Sequence, residues 1–213
     1  MTKYKTYLEK TEDFLTYEAP ALLVVDMQAG FFAPPERRDE QTKEMIRGCA
    51  GLIRGFRQAG WPVIYSRFES TEHCKNLNQR FFPKYRDLPD GGERLCFADN
   101  PSFEVLEELR PLKEELVFNK LGYDCFHGTC LDYCLRTQGR KTLVIAGVLT
   151  DECVFCTASG AFHLEYEVIV PSDCTKTYTE ERKRVFLSTL DEAFGNVLSS
   201  QDTLAALSEK NRS

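Results

Sequence analysis

The sequence predicts an α/β protein, a three-layer α-β-α sandwich built on a mainly parallel sheet of about six strands. Two patterns carry that prediction. Short, almost unbroken apolar runs of strand length recur along the chain, and stretches of helical periodicity separate them. Strands that read as continuous apolar runs are covered on both faces, which in a βαβα order means helices on either side of a parallel sheet.

The first run is ALLVVDM, Ala21 to Met27, rich in β-branched residues. An amphipathic stretch from Gln41 to Ala59 follows and stops at Gly60, a helix-ending residue. PVIYS (Pro62 to Ser66), ELVFNK (Glu115 to Lys120), TLVIAG (Thr142 to Gly147) and EVIVPSD (Glu167 to Asp173) are the next strands, and NVLSS (Asn196 to Ser200) is a short sixth. The segment Cys74 to Asn100 holds Pro83, Pro89, Gly91 and Gly92 and reads as a long excursion or lid. Repeats, low-complexity tracts and Gly/Ser linkers are absent, so a single domain over residues 1–213 is expected, with 1–20 as an N-terminal extension.

Composition narrows the function classes. With 42% hydrophobic and 28% charged residues, the chain has the makings of a core and is not of the disordered kind. A net charge of −6 without a basic cluster argues against nucleic acid and anionic membrane as partners. No apolar run reaches the roughly 20 residues of a membrane helix. The opening MTKYKTYLEK has no apolar stretch like that of a secretory leader, so a cytoplasmic location with reduced thiols is expected. The nine cysteines are an odd number, which rules out complete pairing within one chain.

In open parallel sheets, ligands bind beyond the carboxyl ends of the strands. The polar residues there are Asp26, Ser66 with Arg67, Lys120, the loop GVLTDEC and Asp173. Cys153 falls in that loop, and the helical pattern CVFCTASGAFHLEY begins with it, with Thr150 or Asp151 as the expected helix cap. A helix N-terminus favours a thiolate and offers N–H groups to an oxyanion. Cys153 is thus either a nucleophile or one more buried structural thiol. Asp26 is either a general base or a capping or ion-paired carboxylate. Lys120 is either the cation that keeps Asp26 ionised or a solvated surface lysine.

Three strings settle more than the strand ends do. ALLVVDMQAGFF, with Asp26, Met27, Gln28 and Phe31, resembles the opening strand of the isochorismatase-like cysteine hydrolases. FNKLGYDCFHGTCLDYCL, with Lys120, Phe126, Gly128, Thr129 and Leu131, resembles the family's lysine segment, and AGVLTDECVFCTASG resembles its signature G-V-x-T-x-x-C-V. The resemblance implies Asp26, Lys120 and Cys153 as the catalytic triad. It also implies a cis peptide just before Leu149, with the backbone N–H groups of Leu149 and Cys153 forming the oxyanion hole. The expected chemistry is hydrolysis of a C–N bond in a small amide, ureide or carbamoyl compound through a thioester, without cofactor or metal. The expected partner is a small-molecule substrate, and relatives are commonly dimers or tetramers.

The sequence also departs from some members. Nicotinamidases carry S-x-D-W-H after the second strand, where this chain has Ser66, Arg67, Phe68, Glu69 and Ser70, so Phe68 and Ser70 stand in place of metal ligands. The nearby Glu72, His73 and Cys74 lack ligand spacing. Isochorismatases proper lack the cysteine, so Cys153 favours C–N hydrolysis over vinyl-ether cleavage. Arg67 is expected either to bind a substrate carboxylate or to sit in a surface ion pair. Phe31, Tyr123 and Phe126 are expected as pocket walls or as core. Two competing readings remain: a non-catalytic, partner-binding member, and a redox sensor using the C-x-x-C pair Cys153 and Cys156.

Overall fold

The structure, a computed structural model, describes residues 16–73 and 95–211. The expected N-terminal extension lies largely outside the described residues, as does the excursion from Cys74 up to residue 94.

All strands of the single sheet run parallel, in the order β3-β2-β1-β4-β5-β7. They are β1 (Pro20–Val25), β2 (Val63–Phe68), β3 (Leu116–Lys120), β4 (Thr142–Val148), β5 (Glu167–Pro171), β6 (Thr175–Lys176) and β7 (Asn196–Leu198). Six of these correspond to the expected runs. The seventh, β6, is a two-residue strand that pairs with Gly147 and Val148 at the end of β4, beyond the point where β5 has stopped pairing. Two residues leave no periodicity to read in a sequence.

The helices are α1 (Glu40–Gln58), α2 (Leu131–Thr137), α3 (Phe155–His163), α4 (Glu180–Ala193) and α5 (Ser200–Lys210). α1 starts where Asp39 accepts the Thr42 N–H at 2.7 Å, an N-cap that satisfies one orphan donor. Strand alternation sorts the core into two layers. Leu22 and Val24 of β1 join Val63, Tyr65, Val144 and Ile169 against α1 (Met45, Cys49, Leu52, Phe56) and Leu207 of α5. Ala21, Leu23 and Val25 join Ile64, Phe118, Ile145 and Val168 against Leu131 and Leu135 of α2, Ala158 and Ala161 of α3, and Leu190 of α4. All six residues of β1 are buried, as a central strand with both faces covered requires.

From β1 the chain winds to β2 and β3 on one side, and from β4 to β5 and β7 on the other. The gap between the carboxyl ends of β1 and β4 is therefore a topological switch point, where such sheets bind ligands. Gly147 lets the two strands close there. It pairs with Val25, has φ +126°, and a Cβ on it would lie 2.1 Å from the Val25 carbonyl oxygen. Among the described residues no helix is long and apolar enough to cross a membrane.

Candidate active site

Asp26 is the first residue past β1. Its backbone turns into the left-handed region, φ +51°, which Asp tolerates better than most residues. Its N–H donates to the Ser66 carbonyl at 3.2 Å, and its Oδ1 accepts the Ser66 hydroxyl at 2.7 Å. Lys120 ends β3, and its Nζ lies 2.6 Å from Asp26 Oδ2. The same ammonium donates to Cys153 Sγ at 3.2 Å and to the Gly122 carbonyl at 2.9 Å. The three side chains share one buried cluster: Asp26 is 1%, Lys120 2% and Cys153 6% exposed. Lys120 is thus no surface lysine. Its ring neighbour is Phe68, with Nζ 5.2 Å from the centroid.

Burial alone would push the Lys120 ammonium down, but the Asp26 carboxylate and the Cys153 sulfur hold it above the ordinary lysine range. For Cys153 burial wins. It raises the thiol well above its usual value, Lys120 opposes the rise, and Asp26 adds to it.

The backbone around Cys153 departs from the expected first helical turn. Cys153 lies in a wide turn, Thr150–Val154, ahead of α3, in which the Leu149 carbonyl accepts from Glu152 N and Val154 N at 3.1 Å each. Leu149 occupies the cap position, without a side-chain cap bond, in place of the expected Thr150 or Asp151. Tertiary partners take both of those side chains. The Thr150 hydroxyl shares a hydrogen bond with Thr175 Oγ1 at 2.9 Å, and the Asp151 carboxylate accepts the Thr177 hydroxyl and pairs with Arg182. The Val148–Leu149 peptide is cis.

Phe31, Phe68, Tyr123, Val148, Leu149 and Glu152, with Asp26 and Cys153, line a small pocket whose free space is about 10 Å³, room for about one water. The Phe31 and Phe68 rings meet edge to face at 6.4 Å. Burial, and then the Glu152 carboxylate, push the Tyr123 phenol up to about 12. Phe31 and Tyr123 are thus at the pocket, but Arg67 is not among its lining residues. Strand alternation turns Arg67 away from Ser66 and Phe68. Its Nε donates to Asn119 Oδ1 at 3.1 Å and its guanidinium lies 4.2 Å over the Phe103 ring. Phe126 stacks on Tyr166, 5.8 Å between centroids, within the second core layer.

Ser66 and Gln28 hold this cluster in ways the sequence reading assigned to neither. Gln28 is fully buried, accepts the Phe68 N–H at 2.7 Å and donates to the carbonyls of Phe68 and Phe103. The signal for Ser66 was a serine ending the apolar run of the strand beside the one that delivers Asp26. Every cysteine among the described residues is a free thiol, Cys156 included. Among the described residues no three His, Cys, Asp or Glu side chains gather as metal ligands would.

Known proteins of this architecture carry related chemistry in their names. A cysteine hydrolase from Pseudomonas syringae pv. phaseolicola 1448A superposes with a TM-score of 0.79 at 25% identity, over 92% of this chain and 95% of its own. N-carbamoylsarcosine amidase from Thermoplasma acidophilum superposes with a TM-score of 0.72 at 26% identity, over 85% of this chain and 96% of its own. Ureidoacrylate amidohydrolase RutB from Acinetobacter baylyi is 27% identical across 88% of this chain and 83% of its own length. The family model described as the isochorismatase domain matches residues 20–202, from the first strand into the last helix, and the chain belongs to the isochorismatase family.

Proposed function

We propose that the protein is a cysteine hydrolase that cleaves a C–N bond of a small amide, ureide or carbamoyl compound through a thioester, without a metal. The observation that carries this reading is the buried contact of three groups at the switch point: Lys120 Nζ at 2.6 Å from Asp26 Oδ2 and 3.2 Å from Cys153 Sγ. A protonated thiol beside a carboxylate, with a cation touching both, is a nucleophile with its base in place.

In this reading Asp26 takes the Cys153 proton as the sulfur attacks the carbonyl carbon. The C–S bond forms while the carbonyl π pair moves onto oxygen, where the N–H groups of Leu149 and Cys153 receive it. The oxyanion collapses, the C–N bond breaks, and Asp26 returns its proton to the departing nitrogen. A water, deprotonated by Asp26, then attacks the thioester, and the sulfur leaves with the proton restored. The sum is amide plus water giving acid plus amine or ammonia. Lys120 keeps its charge throughout and offsets the negative charge that passes between Asp26, the sulfur and the oxyanion. Phe31 and Tyr123 wall the substrate. Two of the similar proteins are named for ureido or carbamoyl substrates, which makes an N-carbamoyl group the first class to try.

The reading also takes the enzyme to be cytoplasmic and a homodimer or homotetramer, which size-exclusion chromatography with light scattering would resolve. The functional test is an ammonia-release screen over small amides, ureides and N-carbamoyl amino acids, with Cys153→Ala as control. Release that depends on Cys153 supports the reading. Equal release by the alanine variant overturns it.

A further inference from the structure

A carboxylate that serves as a base needs a defined orientation, and a lone cation does not supply one. The terminal torsion of Asp is broad and nearly two-fold, so an ammonium charge at a single point leaves the plane of the group free to turn. In this site the Lys120 ammonium engages Oδ2 at 2.6 Å. The other oxygen, Oδ1, accepts the Ser66 hydroxyl at 2.7 Å. Ser66 is 1% exposed, and its register places it beside Val25, the residue before Asp26.

Ser66 also holds the backbone of Asp26. Its carbonyl accepts the Asp26 N–H at 3.2 Å, and its Oγ lies 3.3 Å from the same nitrogen. One residue of β2 therefore anchors both the main chain and the side chain of an aspartate whose φ of +51° has already left the strand. The titratable groups around the carboxylate are Lys120 from β3, Cys125 from the loop after it, Cys153 from the turn after β4, and Cys96 from the segment following the second strand. Of these only Lys120 is a cation, so Ser66 supplies the second fixed donor.

We propose that Ser66 is a positioning residue of the reaction: its hydroxyl sets the plane of the Asp26 carboxylate so that it can take the Cys153 proton while Lys120 holds the other oxygen. This rests on the cysteine-hydrolase reading. Ser66 acts through Asp26 and makes no contact with substrate.

The test compares Ser66→Ala with the wild-type full chain on a compound that the wild type hydrolyses. A hydrogen bond to a charged group, lost from a buried carboxylate, predicts a fall in kcat of about ten- to a hundred-fold with KM nearly unchanged. The acid limb of the kcat/KM profile moves to higher pH, because a donor that favoured the charged base is gone. Ser66→Cys is close in size with a weaker donor, lies between the two, and carries the test should the alanine variant not fold. A variant that only melts earlier, with kcat and the acid limb unchanged, overturns the proposal and leaves Ser66 a packing residue. A rise in KM alone overturns it too, by placing Ser66 on the substrate. Turnover that survives Cys153→Ala would overturn the hydrolase reading itself, whatever Ser66 does.

Discussion

Adding one carbon at Gly147 tests the geometry that joins the base to the nucleophile. In Gly147→Ala the new Cβ would meet the Val25 carbonyl oxygen at 2.1 Å and the Val25 carbon and nitrogen at 2.8 Å, where ordinary contact begins near 3.4 Å. These obstacles are backbone atoms and cannot rotate away. The strands have to part by more than an ångström, at a residue that also sits at φ +126°. Overpacking and an unfavourable φ together cost about 2–4 kcal/mol of stability. The displacement falls between Asp26, next to Val25, and the β4 loop that carries Cys153, and a misplacement of about 1 Å lowers turnover by roughly a hundred-fold. Urea denaturation gives the first quantity, and kcat of the folded fraction gives the second. A variant as stable and as active as the wild type would refute the claim that strand contact at Gly147 sets the site.

Other perturbations separate the roles of individual groups. Lys120→Met leaves the Asp26 carboxylate buried without its cation, so it should cost about 3–5 kcal/mol in denaturation and abolish turnover; a stable, active variant contradicts this. Arg67→Ala should leave KM essentially unchanged, since the guanidinium packs on Phe103 and bonds Asn119; a tenfold rise would put Arg67 on the substrate. Asp39→Ala removes the α1 cap and the Lys176 pair and should cost about 1 kcal/mol at neutral pH. Hydrogen bonds from Lys176 and Thr42 lower the Asp39 carboxyl to about 2 in the folded chain, against about 4 unfolded. Its contribution is therefore fully present above the unfolded value and fades as pH falls from about 4 toward about 2. Paired melts of wild type and variant should converge over that window, and a constant gap would refute the linkage.

Much of this architecture was legible because burial writes itself into strands. The unbroken apolar run of β1 announced a strand covered on both faces, and Asp26, Lys120 and Cys153, read as lying at strand ends, meet in one cluster. What escaped depended on tertiary choices. Thr150 and Asp151 are good caps by type, but Thr175, Thr177 and Arg182 took their side chains, and a wide turn replaced the expected first helical turn. How deeply the Cys153 sulfur is buried is also something no spacing reveals. The side Arg67 takes could not be read because β2 runs on to Phe68, past the Ser66 at which the apolar run stops, and its alternation decides which side chain faces the pocket.

The central claim is that the Cys153 sulfur bonds to substrate carbon. The most direct measurement is the intact mass of enzyme quenched in acid during turnover of a compound from the ammonia screen, followed by peptide mapping. The account predicts an adduct with the mass of the acyl or carbamoyl fragment on the Cys153 peptide, lost together with turnover in Cys153→Ala. Turnover by that variant, or an adduct on another cysteine, would contradict it.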